Sequence, residues 1–495
     1  MILAGNVIAW LETRRVLVLL VALGLFAMSA RSVTDPDVWW HLRTGELIIQ
    51  THSVPRADPY SFTRFGQPWV NHEWLSDVMI FTLYRWAGWG GLIVAFASII
   101  GAALLLVFLR CPGHPFTAAL ITVLGAVASA ATWGVRPQML SLLLASILLL
   151  ILESSDQHPN RVWWAIPLMM LWVNLHGGYA MGIALLALFP AGGALDVVFG
   201  FERWPRAAPQ LRRLALVLAA CLAVVPLNPN GVRMYWYPLQ TLHSASMQNY
   251  INEWFSPNFH ELKYLPLLLM ILAILVGLTL SPRRLRPREL VLVLATLLAA
   301  LRSARHIPIF VLVAIPLLSA LVSDWPGEGA AVGIRRRRPV ARTMLVNAIV
   351  LAAFAIFVLA HFRSVVRQQR AAEAQHFPET AASFILENAV PSPIMNHYNW
   401  GGYLIWRLYP EYRVYMDGRA DLYGDSFLDE FAASYYLKQH WGEPLRKWGI
   451  RTVFLPRDAP LVTALLSTPG WKRIYVDSQG VILTLAPIAD GSISK

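Results

Sequence analysis

Long apolar runs without charged residues dominate this sequence and decide what kind of protein it can form. A helix needs about 20 apolar residues to cross a bilayer, and several runs are shorter, so their helices must extend into flanking polar turns. With 56% hydrophobic and 14% charged residues, the chain is typical of an integral membrane protein and not of a soluble enzyme. We expect about eleven spans, at residues 16–30, 88–109, 116–132, 139–152, 163–173, 179–195, 214–226, 264–280, 290–301, 307–322 and 343–360.

The basic residues give these spans an orientation, because cytoplasmic loops are enriched in Lys and Arg. With the N-terminus inside, most Arg clusters, including the run at residues 335–338, fall in inner loops. The sequence therefore predicts a multi-pass inner (cytoplasmic) membrane protein with a cytoplasmic N-terminus. In a soluble chain a formal net charge of +12 would suggest nucleic acid. Here the Arg residues border apolar runs, so we expect membrane lipids as partners and no nucleic acid.

The composition changes after the last apolar run, near Phe362. Residues 362–495 alternate short apolar bursts with helical patterns, which is typical of a small α/β domain. The predicted fold is thus a mostly α polytopic membrane protein with a C-terminal extracytoplasmic α/β domain. Its transmembrane domain covers residues 1–361 and includes a large first outer loop at residues 31–87, and the outer domain covers residues 362–495.

The stretch TDPDVWWHLR, residues 34–43, directly follows the first apolar run. In an extended or turn segment, Asp35 and Asp37 would point the same way and could share one cation or one substrate hydroxyl. The alternative is helix capping, with Asp35 as the N-cap and Pro36 at the first helical position. Capping would explain Asp35, and it would leave the Asp37 carboxylate free of a capping role and able to act in a reaction or bind a cation. His41, on the helix that follows, could turn toward these acids and bind an acceptor.

Nearly all other polar motifs of the membrane half fall on the same predicted outer face as this loop. Such a one-sided collection of acids, amides, His and Arg is what a site at the outer membrane surface requires. The alternatives are tight turns for the Asn-rich motifs and lipid-headgroup contacts for the Arg residues. The further members of this set are His72, Glu73, Arg136, Asn174, His176, Glu253, Arg302, Arg305 and His306.

These residue types supply both halves of a transfer from a lipid phosphate to a hydroxyl. The charge that develops on the leaving phosphate needs cations or hydrogen-bond donors, which we assign to Arg136, Arg302, Arg305 and His306. The acceptor hydroxyl needs a base or a metal-bound oxygen to take its proton. For this catalytic role we select Asp37, Asp35, His72 and Glu73. Asn174, His176 and Glu253 are assigned to substrate or acceptor binding together with His41.

Two short motifs carry a resemblance to a known family. DVWWHLR, residues 37–43, looks like the Asp-Pro-Tyr-Tyr-His-Leu-Arg type of motif in the first outer loop of oligosaccharyltransferase catalytic subunits. NWGGYLI, residues 399–405, is similar to the Trp-Trp-Asp-Tyr-Gly acceptor motif of those subunits, with Asn399 where the family has Asp and without the double Trp. With an acid in the first outer loop, many spans and a C-terminal outer domain, the chain resembles the GT-C superfamily of membrane glycosyltransferases.

The resemblance implies transfer of a sugar from a polyprenyl-phosphate-linked donor to a glycan, lipid or protein acceptor at the extracytoplasmic face. It implies that Asp37 could bind a divalent cation, Mg²⁺ or Mn²⁺. His72 and Glu73 could join that site, although neighbouring side chains on a helix diverge. In the outer domain, Asp417 and Arg419 could face the acceptor with Asn399, or the first two could form a self-paired loop.

Two other classes of function stay open. A flippase or transporter of lipid-linked glycans would share the lipid partner, but ion-coupled carriers usually keep charged groups at mid-membrane. None of the eleven apolar runs contains Asp, Glu, Lys or Arg. A non-catalytic envelope assembly protein would use its outer domain for binding and would tolerate loss of the loop acids.

Overall fold

The computed structural model describes residues 12–323 and 341–486. The predicted inner Arg run at residues 335–338 lies outside these ranges. The strands are β1 (Ile394–Asn396), β2 (Thr452–Pro456), β3 (Trp471–Val476) and β4 (Gly480–Leu485). The α-helices are α1 (Thr13–Ser29), α2 (Val38–Thr51), α3 (Trp74–Arg110), α4 (Pro115–Ser129), α5 (Gln138–Ser154), α6 (Ala165–Leu175), α7 (Tyr179–Val198), α8 (Trp204–Ala223), α9 (Tyr237–His243), α10 (Ala245–Tyr250), α11 (Leu265–Leu280), α12 (Pro287–Arg302), α13 (Ile307–Ser323), α14 (Ala341–His376), α15 (Glu379–Glu387), α16 (Gly401–Leu408), α17 (Ala420–Tyr423), α18 (Asp425–Tyr435), α19 (Glu443–Lys447) and α20 (Pro460–Leu466).

The chain is a mostly α, multi-pass membrane protein. Each predicted apolar run is helical over most of its length. The count of eleven crossings is not confirmed, because α1, α5, α6 and α12 are shorter than 18 residues. Among the described residues, seven helical stretches are long and apolar enough to cross a membrane: Trp74–Arg110, Pro115–Thr132, Tyr179–Val198, Trp204–Leu227, Leu262–Leu280, Ala304–Ser323 and Ala341–His376.

The described residues fall into two compact units. Unit 1 contains residues 12–31, 90–232, 252–323 and 341–367. Unit 2 contains residues 32–89, 233–251 and 368–486, so it combines the first loop with the C-terminal residues. The domain boundary between residues 361 and 362 stays a prediction.

Helix α13 is the core of unit 1. The helical stretch Ala304–Ser323, which includes α13, is 78% buried inside the protein over its 18 most apolar residues. The corresponding value for Ala341–His376 is 6%. Small residues let neighbouring helices approach closely, as is usual in membrane proteins. A Cβ added to Gly125 of α4 would lie 2.4 Å from Cδ1 of Ile315 in α13. A Cβ on Gly182 of α7 would lie 2.6 Å from the Trp172 ring of α6.

Unit 2 contains a four-stranded mixed sheet with the order β1-β2-β4-β3. β1 and β2 are parallel, and both other pairs are antiparallel. The first loop joins this unit by backbone pairing. The Phe62 N–H donates to the Val414 carbonyl, and the Val414 N–H donates to the Tyr60 carbonyl, both at 3.0 Å. The loop is therefore held against the segment at residues 413–417.

Asn396, at the end of β1, holds that segment from its other side. Its side chain is buried; Nδ2 donates to the Met416 carbonyl, and Oδ1 accepts from the Tyr415 N–H, each at 2.8 Å. Buried backbone groups that lack sheet partners need such side-chain partners, because leaving them unpaired costs about 1–3 kcal/mol each. Residues 413–417 thus have a fixed path next to the first loop, which positions the residues that follow them.

Candidate active site

The acids of the first loop occupy different environments. Asp35 Oδ1 accepts a hydrogen bond from the Asp37 N–H at 2.9 Å. This bond lies in a turn, so Asp35 is not the helix N-cap that the sequence predicted; Asp37 occupies that position. Helix α2 begins at Val38, two residues later than predicted, because Pro36 and Asp37 form a turn ahead of it. The Asp37 carbonyl accepts from the His41 N–H at 3.2 Å. Asp35 therefore orders the turn that presents the Asp37 carboxylate.

The Asp37 carboxylate lies against the backbone of the C-terminal residues. It is half-buried, and its Oδ1 accepts from the indole N–H of Trp40 at 3.3 Å. A Cβ added to Gly418 would lie 1.7 Å from that oxygen, far inside van der Waals contact. Only glycine at position 418 therefore leaves room for the carboxylate where it stands.

Asp77 is a candidate site residue that sequence reasoning missed. Its Oδ1 lies 2.7 Å from Nδ1 of His41, and its Oδ2 accepts from Nδ2 of Asn71 at 3.1 Å. All three side chains are buried. A carboxylate paired with one ring nitrogen fixes the orientation of a histidine, as in catalytic dyads. The available signal was an acid near the start of an apolar helix, since buried acids are almost always paired.

His72 and Glu73 approach each other, with Nε2 and Oε2 3.6 Å apart. They precede α3 in a turn, so the divergence expected of neighbours on a helix does not apply. The Tyr237 ring lies beside His72, at 4.2 Å between centroids. Among the described residues, no group of three His, Cys, Asp or Glu side chains is placed to hold a metal ion. Asp37, His72 and Glu73 therefore do not form a three-ligand metal site.

Asp417 and Arg419 form a buried ion cluster, with side chains 0% and 1% exposed. Nε and Nη2 of Arg419 donate to the two carboxylate oxygens of Asp417, both at 2.7 Å. Asp58 of the first loop places Oδ1 2.8 Å from Nη1 of Arg419. The guanidinium also lies over the Trp69 ring, 4.5 Å from its centroid. This geometry favours the self-paired loop over an acceptor contact.

Electrostatics explain why this cluster can be buried. Burial alone would lower the pKa of Arg419, but the carboxylates of Asp417 and Asp58 raise it well above its ordinary value. The Tyr423 hydroxyl donates to Asp417 Oδ2 at 2.7 Å and completes the hydrogen bonding of that carboxylate.

Asn399, the third residue of this set that the sequence assigned to acceptor binding, is exposed in a short turn.

Unit 1 contains a second polar group around Glu253. Its Oε2 accepts from Nη1 of Arg136 at 2.5 Å, and Arg305 stacks over the Trp254 ring at 4.3 Å. Burial would raise the pKa of Glu253, but Arg136 and Arg305 together hold it below its ordinary value. The Ser303 hydroxyl donates to the Glu253 carbonyl at 3.0 Å. Two guanidinium groups around one carboxylate leave this group with a net positive charge.

The remaining predicted residues of unit 1 have diverse surroundings. Arg302 is exposed, and His306 is half-buried. His176 Nδ1 lies 2.8 Å from the Ser141 hydroxyl and accepts from the Gly178 N–H at 3.0 Å, so it belongs to a buried turn. Asn174 Nδ2 donates to the Met170 carbonyl one helical turn earlier. The structure thus brings Arg136, Glu253 and Arg305 together and ties His176 into the fold.

No protein-family model and no curated protein sequence matches the chain. Among solved structures, the apo form of ArnT from Cupriavidus metallidurans matches with a TM-score of 0.50 and 16% identity, over 95% of this chain and 97% of that one. The archaeal oligosaccharyltransferase AglB from Archaeoglobus fulgidus, in complex with an inhibitory peptide and a dolichol-phosphate, matches with a TM-score of 0.55 and 13% identity, over 98% of this chain and 76% of that one. The chain therefore shares the fold of these two membrane proteins. The predicted class of a mostly α polytopic membrane protein with a small C-terminal sheet is therefore confirmed, whereas the extracytoplasmic location of that sheet stays a prediction.

We expect Gly418→Ala to destabilise the protein through its contact with Asp37. Overpacking of this kind costs about 1–3 kcal/mol. In an Asp37→Ala background the carboxylate is gone, so the same substitution should cost less, with a coupling of about 0.5–3 kcal/mol. The coupling is obtained from the unfolding free energies, in detergent, of the wild type, the two single variants and the double variant. Gly442→Ala is the control, because its Cβ would meet only the flexible end of Arg446. Additive effects of the two substitutions would contradict the contact.

Arg419→Ala should destabilise the protein by about 3–5 kcal/mol, because it leaves the carboxylates of Asp58 and Asp417 buried without their cation. The matched substitution Arg451→Ala removes an exposed guanidinium and should change stability by less than about 0.5 kcal/mol. Denaturant unfolding of both variants in detergent measures the difference. Equal stability of the two variants would show that the cluster does not hold unit 2 together.

Proposed function

We propose that this protein is a membrane glycosyltransferase that moves a sugar from a polyprenyl-phosphate-linked donor to a glycan, lipid or protein acceptor at the extracytoplasmic face. The observation that carries the proposal is the likeness of fold to ArnT and AglB over nearly the whole chain. AglB was solved with a dolichol-phosphate, which is a polyprenyl-type phosphate. The chain also contains the residue types that such a reaction needs, a carboxylate as base and guanidinium groups for a phosphate.

In this proposal Asp37 is the general base. Its carboxylate takes the proton of the acceptor hydroxyl while that oxygen forms a bond to the anomeric carbon of the sugar. The bond from this carbon to the phosphate oxygen breaks, and polyprenyl phosphate leaves with the electron pair. The Trp40 N–H and the Gly418 backbone fix the carboxylate, and Asp35 orders its turn. Asp77 orients His41 as an acceptor-binding group, with His72 and Glu73 as further polar contacts.

Arg136 and Arg305 stabilise the leaving phosphate. A guanidinium stays charged and donates two hydrogen bonds in a plane, which matches phosphate oxygens. Glu253 orients Arg136 through their ion pair and leaves the group positive. Arg302 is exposed and contributes long-range attraction for the anionic donor, and His306 adds a hydrogen-bond donor.

The proposal includes no step through Mg²⁺ or Mn²⁺. The described residues offer no group of three ligands, and Asp37 has a complete role as a base. Asp417 and Arg419 hold the first loop in place in this proposal and do not contact the acceptor.

In this proposal the protein lies in the inner (cytoplasmic) membrane, with its N-terminus in the cytoplasm and the C-terminal residues outside. Support comes from the Arg distribution of the sequence. In a cysteine-free background, Ser467→Cys should react with a membrane-impermeant maleimide in intact cells. His158→Cys, on a predicted inner loop, should react only after permeabilisation. Both positions are exposed. The reverse labelling pattern would reject the orientation.

Asp37→Asn should abolish transfer and keep the fold, because an amide cannot accept the hydroxyl proton. Asp35→Asn should retain transfer, because the amide oxygen of Asn can accept the same turn hydrogen bond from the Asp37 N–H. Each variant is expressed in a deletion strain, and the masses of the surface glycans and glycolipids of that strain are measured by mass spectrometry. Variant amounts in the membrane are compared by immunoblot.

The outcomes of this experiment separate three explanations. If Asp35→Asn alone restores the wild-type surface glycans of the deletion strain, Asp37 is supported as the base. Restoration by Asp37→Asn alone would mean that the other carboxylate is the base. If deletion changes the mass of no glycan or glycolipid, the proposed function itself is wrong.

Arg305→Ala should weaken binding of undecaprenyl phosphate by about tenfold or more, because a hydrogen bond to a charged group contributes about 1.5–3 kcal/mol. Arg284→Ala, which removes an exposed guanidinium on a predicted inner loop, is the control and should bind as the wild type does. Native mass spectrometry of the detergent-purified proteins with added undecaprenyl phosphate measures both. Unchanged binding in Arg305→Ala would return this residue to a structural role next to Trp254.

A further inference from the structure

A small cavity of about 150 Å³ lies within unit 2. Four aromatic side chains line it: Trp39, Tyr84, Tyr403 and Trp406. None of these was selected from the sequence as a site residue. An engineered cavity of similar size binds benzene, so this volume holds one six-membered ring, and the open side of the cavity leaves room for the substituents of that ring.

The aromatic walls hold each other in position. The Trp39 ring meets the Tyr403 ring edge to face, with centroids 4.9 Å apart. Tyr84 and Trp406 are nearly perpendicular at 6.1 Å. Such edge-to-face pairs each contribute about 0.5–1.5 kcal/mol beyond the area that they bury. The walls are therefore fixed before a ligand arrives, which lowers the entropy cost of binding.

Hydrogen-bond acceptors and donors share the rest of the lining. The acceptors are the carboxylates of Glu373 and Glu379, and the main donor is the guanidinium of Arg407. Arg407 donates to the hydroxyls of Tyr403 and Ser383, at 3.5 and 3.2 Å. Glu373 accepts from Nε2 of Gln369 at 3.1 Å. Arg407 Nη1 is 3.7 Å from Glu379 Oε1, too far for a hydrogen bond, so the Glu379 carboxylate can still accept from a ligand. The indole N–H of Trp39 is buried and donates to no atom of the described residues. Buried donors nearly always have partners, so this one is available to a ligand.

This lining discriminates between classes of ligand. A phosphate would face two carboxylates, and an organic ammonium would face the guanidinium and could not accept from the indole N–H. An apolar tail would leave the buried Trp39 N–H without a partner, at a cost of about 1–3 kcal/mol, and would offer no donor to the Glu379 carboxylate. A sugar ring has hydroxyls that both donate and accept, and its C–H faces pack on aromatic rings. It can therefore accept from the Trp39 N–H and donate to the Glu379 carboxylate while its C–H face packs on the rings.

We propose that this cavity binds one neutral monosaccharide residue of the acceptor, so that the acceptor is a glycan. The inference rests on the proposed function and narrows its acceptor class. The cavity is a recognition subsite: none of its lining residues takes part in the transfer of the proton or of the sugar. It selects the acceptor by one ring, and Asp37 acts on the hydroxyl that reacts.

Saturation-transfer NMR on the full chain in detergent tests the subsite. The probes are D-glucose, D-galactose, D-mannose and N-acetyl-D-glucosamine, each measured alone, with choline as the ammonium probe. We expect a saturable signal from at least one sugar. Trp406→Ala should weaken it at least tenfold. Glu379→Gln changes a half-exposed side chain without loss of volume and should weaken it severalfold in a folded protein. Trp39→Phe keeps a ring but removes the N–H and should also weaken binding.

Trp86→Ala is the matched control, because this Trp belongs to the same unit and is 83% exposed. Its sugar signal should equal that of the wild type. Absence of a saturable signal from every sugar, or equal signals in Glu379→Gln, Trp39→Phe and the wild type, would overturn the proposal. Binding of choline without binding of sugars would overturn it in favour of an ammonium ligand.

The same measurement separates this inference from the proposed function. Asp37→Asn should bind the sugar probe as the wild type does, although its transfer is lost. Sugar binding in a protein whose deletion changes no surface glycan would support a carbohydrate site and reject the transferase. Changed surface glycans without binding of any sugar probe would reject the subsite and leave the transferase standing.

Discussion

The buried guanidinium of Arg419 is the constraint on which the architecture of unit 2 depends. Removal of a charge from water costs several kcal/mol, and this cost is offset only when the partners are complete. One partner, Asp417, is two residues away, but the other, Asp58, comes from the first loop. The cluster is therefore satisfied only when the loop and the C-terminal residues are assembled in one register. That register places Gly418 against Asp37.

Five carboxylates of unit 2 differ in their contacts, and these contacts indicate which of them stabilise the fold and which one is proposed to take part in transfer. Asp58 and Asp417 neutralise a buried cation, and Asp77 orients a histidine. Asp35 orders a turn. Asp37 is half-buried, accepts a hydrogen bond from Trp40, and lies where the backbone of another segment closes around it. The contacts of the other four carboxylates hold the fold, whereas Asp37 is the carboxylate that the proposed transfer uses as its base.

The membrane fold and the chemistry depend on different features of the chain. Apolar runs and small residues at helix contacts suffice to build unit 1, and many sequences meet that requirement. This explains how the fold of ArnT and AglB recurs here at 13–16% identity. Chemistry is set by a few polar groups at the helix ends, and these can change while the helices stay. Fold and acceptor choice can therefore diverge within one architecture.

The sequence by itself determined what depends on near neighbours along the chain. Apolar runs predicted the helices, because a helical pattern depends on residues within a turn or two. The predicted helix cap at Asp35 was wrong, because this side chain orders a turn that comes before α2. The number of crossings was not determined, since short apolar helices lie at the length limit of a span. Tertiary structure alone decided the pairs of Asp77 with His41, Asp58 with Arg419 and Glu253 with Arg136. It also decided the cavity walls, which bring Trp39 next to Tyr403. Each of these contacts joins residues 36 or more positions apart, and their meeting depends on the path of the whole backbone, which no local pattern specifies.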